Sequence, residues 1–332
     1  MSQRYLTFDI LRGVSAILII LYHYTVRYNE NPFIVDYQTD WNFHCHFGFA
    51  AVTTFFIMSG FFSGKIITKQ SNPIKVLSKR LNRLLPTFWA SATISAIVLY
   101  FFWKEASVNL IDYVGNLTMI PGLLRVKVID GAYWTMQLEL FWAIWLSALL
   151  LIKRIRWRKL IIMIWISMSI CLSFFDEISH PLLSITRIIL MTSFSSAFIA
   201  GASLWIILNE KSEKMTWILL CLCLANQLAQ HQTIYHDIFF VVTVCLILMH
   251  KKIDNYLRET SVWVKFITWI ASISYPLYLL HQMIGFAIIL NLRKFGLDNE
   301  LIILIPITFN IVIASMVHRY VEINNKLNPI RI

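Results

Sequence analysis

Long apolar runs recur along the whole chain, and they constrain its fold more than any other feature. A helix needs about 20 apolar residues to cross a bilayer core. Because lipid offers no hydrogen-bond partners, the backbone groups of such a run have to bond within it, which favours helices. The sequence therefore predicts an all-α, polytopic membrane protein with about ten spans. The predicted spans are 8–26, 43–62, 84–103, 133–152, 160–175, 183–208, 216–230, 235–250, 262–291 and 301–319.

The composition supports the membrane assignment. Of the 332 residues 58% are hydrophobic and only 14% are charged, whereas about a quarter are charged in soluble proteins. The first run follows Arg4, but "YHYTVRYNENP" offers no small-x-small cleavage site, so we predict an uncleaved first helix. The longest predicted outer loop, 104–132, is too short for a catalytic domain. We expect residues 1–332 to form one integral membrane domain without a separate soluble domain.

The chain has a net charge of +11, and its Lys and Arg residues are distributed unevenly between the predicted loops. Positively charged residues concentrate in cytoplasmic loops of membrane proteins. With a cytoplasmic N-terminus, the inner segments hold 22 of the 29 Lys and Arg, and Arg187 lies within a span. The pattern predicts that both termini and the loops 63–83, 153–159, 209–215 and 251–261 are cytoplasmic, so nucleic acid is not an expected partner. The six outer residues are Arg27, Lys104, Arg125, Lys127, Arg293 and Lys294.

Two ionisable residues lie within the first apolar run, "LRGVSAILIILYH". Arg12 and His23 are eleven positions apart, which is about 20° beyond three helical turns, so both side chains share one face. They are about 16 Å apart along the axis, with His23 in the outer half. Considered singly, Arg12 could be a basic residue whose side chain snorkels to the membrane surface. His23 considered singly could be a core histidine with its hydrogen bonds satisfied. Their common face favours a shared functional cavity.

A second feature is "SKRLNRLLPTFW", in which Arg80 and Arg83 lie one turn apart at the predicted cytoplasmic start of the third span. Two guanidinium groups on one face suit a phosphate-rich ligand, because each can bind phosphate oxygens through two N–H groups. The alternative is ordinary positive-inside charge or contact with anionic lipid.

Glu139 lies about 9 Å inside the outer end of the fourth predicted span. A carboxylate at this depth needs a partner, and a histidine is a plausible one. His281 is a weaker site candidate in the outer half of the ninth predicted span. Gly60 and Gly64 are spaced for close helix packing. The other histidines form no convincing metal set, so no metal site is expected.

Taken together, six segments resemble the acyltransferase-3 family of integral membrane acyltransferases. They occur in the family's order from residue 8 to residue 325, and it is the ordered set that is specific. Thr135, Met136, Gln282 and Ile323 depart from the family's usual residues. The segments are "FDILRGVSAILIILYH", "FFIMSGFF", "RLNRLLPTFW", "YWTMQLELFW", "SISYPLYLLHQ" and "RYVEINN".

The resemblance implies transfer of an acyl group, commonly acetyl, from cytoplasmic acyl-CoA to a hydroxyl of a surface glycan or its lipid-linked precursor. The expected location is the bacterial plasma membrane, in contact with lipid and with other proteins of polysaccharide assembly. By motif, Arg12 and His23 match the family's first-helix pair, and Arg80 and Arg83 its Arg-x-x-Arg pair. The other site residues that it suggests are Ser59, Trp134, Glu139, Tyr275, His281 and Glu322.

These observations combine into one hypothesis. Arg12, Arg80 and Arg83 bind the phosphates of acyl-CoA, and the pantetheine arm extends about 16 Å toward His23. His23 then removes a proton from the acceptor hydroxyl, with Glu139 orienting it. Formation of an acyl-histidine is equally compatible with the sequence. The alternatives are a flippase for a lipid-linked glycan or an acyl-group exporter, because charges within spans also suit transport, and a structural subunit of an assembly complex.

Overall fold

The computed structural model describes residues 5–175, 180–210, 213–230, 232–257, 261–297 and 299–323. Within this part the chain is helical and contains no strand, so the predicted all-α class is confirmed. The α-helices are α1 (Leu6–Tyr22), α2 (Val52–Thr68), α3 (Pro73–Phe102), α4 (Leu110–Asn116), α5 (Pro121–Leu124), α6 (Trp134–Leu150), α7 (Ile155–Ser173), α8 (Pro181–Leu190), α9 (Thr192–Asn209), α10 (Lys214–Ala229), α11 (Ile234–Leu248), α12 (His250–Tyr256), α13 (Val262–Lys294) and α14 (Leu304–Val317).

Six helical stretches of the described chain are long and apolar enough to cross a membrane. The pair α11 and α12, bent by 72° at its break, makes a seventh if it counts as one span. Each predicted span overlaps a helix, but α6 and α10 are short, and α7 carries basic residues in its first two turns. The count of ten is therefore not confirmed, and the predicted topology stays a prediction. The six stretches are Leu6–Arg27, His46–Thr68, Pro73–Phe102, Pro181–Asn209, Val262–Lys294 and Glu300–Ile323.

The start of α3 differs from the prediction, and the difference affects the site. Hydropathy placed the start of the span at residue 84, but the helix begins at Pro73. Asn72 caps it, because its side chain accepts the backbone N–H of Lys75 at 3.1 Å, and proline suits the first helical position. Arg80 and Arg83 therefore lie inside a 30-residue helix instead of at its end.

The helices pack around two apolar cores. The first core is formed mainly by α1, α3, α13 and α14, and the second mainly by α2, α6, α7, α9, α10 and α11. Helix α1 contributes to both, with Ala16 and Ile20 in the first core and Phe8 and Ile19 in the second. The two ionisable residues of the first helix consequently lie at the junction of the two cores.

Helices α2 and α9 approach each other so closely that only glycine fits between them. A Cβ atom on Gly60 would lie 1.9 Å from the carbonyl oxygen of Phe198, and one on Gly201 would lie 1.9 Å from that of Ile57. A Cβ on Gly64 would lie 2.5 Å from the Cβ of Trp205. The close packing that the sequence predicted for Gly60 and Gly64 is confirmed, and small residues are typical of such membrane interfaces.

This contact gives a stability prediction. Gly60→Ala and Gly201→Ala should each lower the free energy of unfolding by about 1–3 kcal/mol, because the added methyl group forces the two backbones apart. The measurement is the melting temperature of the purified protein in detergent. Gly122→Ala is the matched control, since a Cβ there meets no atom within 4 Å. An equal effect of all three substitutions would contradict the close contact.

Candidate active site

His23 and His281 form a hydrogen-bonded pair between the first and the ninth predicted spans. The Nε2 atom of His281 lies 3.0 Å from the Nδ1 atom of His23, and the two rings meet edge to face with their centroids 4.7 Å apart. His23 is 6% exposed and His281 is fully buried. The fold thus brings together two histidines separated by 258 positions in sequence.

The hydrogen bonds assign the protons of this pair. Nδ1 of His281 lies 2.7 Å from the carbonyl oxygen of Tyr278, and a carbonyl only accepts, so Nδ1 carries the proton. In the neutral ring Nε2 is then an acceptor, and it receives the Nδ1–H of His23. The carbonyl oxygen of Ile19, 2.9 Å from Nδ1 of His23, requires the same tautomer. Nε2 of His23 is left with a free lone pair, and no described residue donates to it.

His23 lies at an irregular turn of its helix, and His281 lies five residues beyond a proline inside α13. His23 is the first residue of a π-helical turn, His23–Arg27, which directly follows α1. Such turns are rare and often occur at functional sites. His281 follows Pro276, the proline inside α13, which removes one bond of the helix ladder. The backbone therefore departs from regular α-helix on the His23 side of the pair.

Glu139 lies in a second, inner polar cluster. One of its oxygens, Oε2, accepts a hydrogen bond from Ser59 Oγ at 2.9 Å and lies 3.9 Å from Nη1 of Arg80. Both side chains of the ion pair are 15% exposed. The predicted contact between Glu139 and a histidine is not found in the described part of the chain, and the predicted partner of His23 is wrong. The ion-pair partner of Glu139 is Arg80. Because α3 begins at Pro73, Arg80 lies inside the helix, within reach of Glu139.

Ser63 connects this cluster to the helix packing. Its Oγ atom receives hydrogen bonds from Nη2 of Arg80 and from the indole N–H of Trp142, the latter at 3.0 Å. Ser63 itself donates to the carbonyl oxygen of Ser59 at 2.5 Å. Arg80 is thus held by residues of both α2 and α6. A basic residue that served only as a positive-inside signal would not need these contacts.

Arg12, Arg83 and Glu322 complete the inner cluster. Arg12 lies 3.8 Å from the carboxylate of Asp9, and the charges of Arg83 and Glu322 are close enough to interact with it. Glu322 accepts a hydrogen bond from Thr87 Oγ1 at 3.2 Å and is paired with the imidazole of its helical neighbour, His318. Arg83 is exposed, so it offers the most accessible guanidinium group of the cluster.

Tyr275 and Trp134 lie at the edges of the two centres. The Tyr275 hydroxyl donates to the carbonyl oxygen of Leu84 at 2.9 Å, and its charge environment includes Glu322, Arg83 and Glu139. Tyr275 therefore lies beside the inner cluster. Trp134 packs among aromatic rings, the nearest being Phe194 with centroids 5.1 Å apart.

Asp130 ties the loop before α6 to α13 close to His281. Its carboxyl oxygens accept the backbone N–H groups of Ala132 at 2.8 Å and Met283 at 3.0 Å. Asp130 is 1% exposed, and burial raises the pKa of this carboxyl to about 7. The outer loop is therefore attached two residues beyond the buried histidine.

The two centres and the helical fold agree with the result of a family comparison. The model of the acyltransferase-3 family, described as an acyltransferase domain, matches residues 5–320, which is nearly the whole chain. The chain belongs to the acyltransferase-3 family. No curated protein and no solved structure matches the chain. The family membership and the apolar helical architecture identify a membrane acyltransferase, and they favour the enzyme over the transporter and the structural subunit.

The candidate site contains residues that the sequence did not predict. Ser63 follows Ser59 by four positions, so the shared helix face could have revealed it. Trp142 follows Glu139 by three positions on α6, where it lies near the same face. Tyr24 and Asn310, described below, carry no such pattern, because their role depends on contacts between distant helices.

Proposed function

We propose that this acyltransferase transfers an acyl group, expected to be acetyl, from cytoplasmic acyl-CoA to a hydroxyl of a surface polysaccharide or its lipid-linked precursor. The observation that carries the proposal is the pair of centres on one helix. Arg12 lies in a cluster of three arginines and three carboxylates, and His23, about 16 Å along the same helix, presents an unprotonated nitrogen. A donor rich in phosphate and an acceptor with a weakly acidic hydroxyl fit these two ends.

The inner cluster suits the donor. Arg83 is exposed and Arg12 is 27% exposed at its side chain, so both guanidinium groups can reach phosphate oxygens. Arg80 is held by Glu139 and Ser63 and adds its charge from the wall of the same cluster. The 22-to-6 distribution of basic residues between the predicted sides supports a cytoplasmic position for this cluster, where acyl-CoA is available.

The outer histidine pair suits the transfer step. Nε2 of His23 takes the proton of the acceptor hydroxyl while the oxygen attacks the thioester carbonyl carbon. The charge that develops on His23 is stabilised through its Nδ1–H by the lone pair on Nε2 of His281. The carbon–sulfur bond then breaks, and the CoA sulfur takes the proton from His23. An acyl group carried on Nε2 of His23 before transfer is compatible with the same geometry.

The experiment that tests this function is a comparison of surface polysaccharide from cells with and without the gene. We expect an O-acyl resonance in the NMR spectrum of the parent glycan that is lost on deletion and restored by the parent gene. Restoration by a gene carrying His46→Gln serves as a control, because His46 is exposed on the outer loop and is not part of either centre. Unchanged acylation together with lost export of the glycan would overturn the proposal and favour transport.

A further inference from the structure

Two consecutive residues of the first span contact the same residue of α13. His23 bonds to the ring of His281 at 3.0 Å, and the hydroxyl of Tyr24 donates to the backbone carbonyl oxygen of His281 at 2.8 Å. Neighbouring side chains of a regular α-helix point about 100° apart. The π-helical turn that begins at His23 widens the helix at this point, and both residues reach α13.

Asn310 of α14 fixes the Tyr24 hydroxyl from its other side. Its Nδ2 atom donates to the hydroxyl oxygen at 2.8 Å and lies 3.5 Å from the carbonyl oxygen of His281. Tyr24, Asn310 and His281 are each 0% exposed. The hydroxyl thus accepts from Asn310 and donates to His281, so its orientation is determined in both directions.

Gly285, one turn beyond His281, lets the Tyr24 ring lie directly against the backbone of α13. A Cβ atom at this position would lie 2.3 Å from the ring and from the hydroxyl oxygen of Tyr24. The distance between α1 and α13 at the histidine pair is therefore set by the tyrosine ring, and the register of the two helices by its hydroxyl.

We propose that Tyr24 and Asn310 are positioning residues for His281, and through it for the base His23; this inference rests on the proposed function of the histidine pair. The His281 ring is already fixed to its own helix by the bond from Nδ1 to Tyr278. The distance from Nε2 of His281 to His23 therefore depends on where the backbone of α13 lies. Tyr24 and Asn310 hold that backbone at the carbonyl group of His281 itself.

The competing explanation is that the tyrosine and the asparagine only hold helices together, as buried polar residues in membranes often do. That role predicts a loss of stability with no special dependence on His281. The positioning role predicts a loss of turnover that disappears once His281 is removed. The two roles can be separated by removing His281, because only the positioning role depends on its side chain.

The first measurement is the initial rate of radiolabelled acetyl transfer from acetyl-CoA to endogenous glycan, in membranes of cells that carry the gene. Tyr24→Phe keeps the ring and removes the hydroxyl. We expect the rate at saturating acetyl-CoA to fall about tenfold, with the KM for acetyl-CoA unchanged. Tyr28→Phe is the matched control, because Tyr28 is equally buried and its hydroxyl donates to the carbonyl oxygen of Tyr37, at 3.3 Å, instead of to His281.

The second measurement repeats Tyr24→Phe in a His281→Ala background. If Tyr24 acts through His281, the second substitution lowers the remaining rate less than twofold, since coupled residues are not additive. A further tenfold loss would show that Tyr24 acts independently of His281, and it would overturn the proposal. A parent-like rate of the single Tyr24→Phe variant would overturn it as well.

A third measurement does not depend on activity. Nitrogen-15 NMR of histidine-labelled protein in bilayers reports the protonation of each ring nitrogen and the hydrogen bond between His23 and His281. We expect Tyr24→Phe and Asn310→Leu to change the His281 signals and Tyr28→Phe to leave them unchanged. If the parent transfers no acetyl, the proposed function fails, while changed His281 signals still support the positioning role and unchanged signals overturn it.

Discussion

His23→Gln should lower acyl transfer by about two to four orders of magnitude while acyl-CoA stays bound. A general base contributes about this factor, and glutamine keeps hydrogen-bonding capacity but cannot take a proton near neutral pH. The loss should therefore appear in turnover and not in affinity. The transfer of radiolabelled acetyl in membranes measures the rate, and calorimetry with purified protein and acetyl-CoA measures the affinity.

His46→Gln provides the control for this experiment, since it makes the same chemical change at an exposed position of the outer loop. Arg12→Ala provides the opposite comparison, because we expect it to weaken acetyl-CoA binding and to leave turnover of the bound donor largely intact. Near-parent turnover of His23→Gln would show that His23 is structural. The base would then have to be sought at His281 or Glu139.

Arg80→Ala should destabilise the protein by about 3 kcal/mol, the amount typical of breaking a buried ion pair. The substitution removes the ion-pair partner of Glu139 and one of the donors to Ser63. From the sequence alone we would expect little effect on folding, because Arg80 and Arg83 are predicted to lie at a helix end and to bind phosphate there. The melting temperature in detergent, without acetyl-CoA, measures the effect.

Arg83→Ala is the matched control on the same helix. Arg83 is exposed, so we expect a stability change within about 0.5 kcal/mol, together with a roughly tenfold weaker affinity for acetyl-CoA. Combining Arg80→Met with Glu139→Gln removes both charges and should recover much of the stability that Arg80→Ala loses. A double variant no more stable than Arg80→Ala would show that the ion pair is not the cause.

The helices and the membrane class could be predicted because apolar runs determine both. The start of α3 was also readable, since Asn72 and Pro73 form a recognisable helix start, although hydropathy alone excluded its basic first turns. The number of spans could not be settled from hydropathy, because short or basic helices such as α6 and α7 depend on their neighbours for burial.

The sequence predicted which residues belong to the candidate site better than it predicted which of them contact each other. Arg12 and His23 share a helix, so their geometry follows from helical spacing. The partner of His23 is distant in sequence, and the sequence suggested Glu139, whereas His281 was only a separate, weaker site candidate. The packing of α1 against α13 shows that His281 is the partner of His23. The packing of α3 against α6 shows that Arg80 is the partner of Glu139.

Helices α2 and α9 touch backbone to backbone at Gly60 and Gly201, so neither can slide along the other without steric overlap. We therefore expect the two helices to move together as one body. Ser59 and Ser63 belong to this body, and through their hydroxyl groups Glu139 and Arg80 move with it. We therefore expect any gate that admits the donor or releases its product to open on the other side of the inner cluster, which is formed by α1 with Arg12 and by the turn after α14 with Glu322.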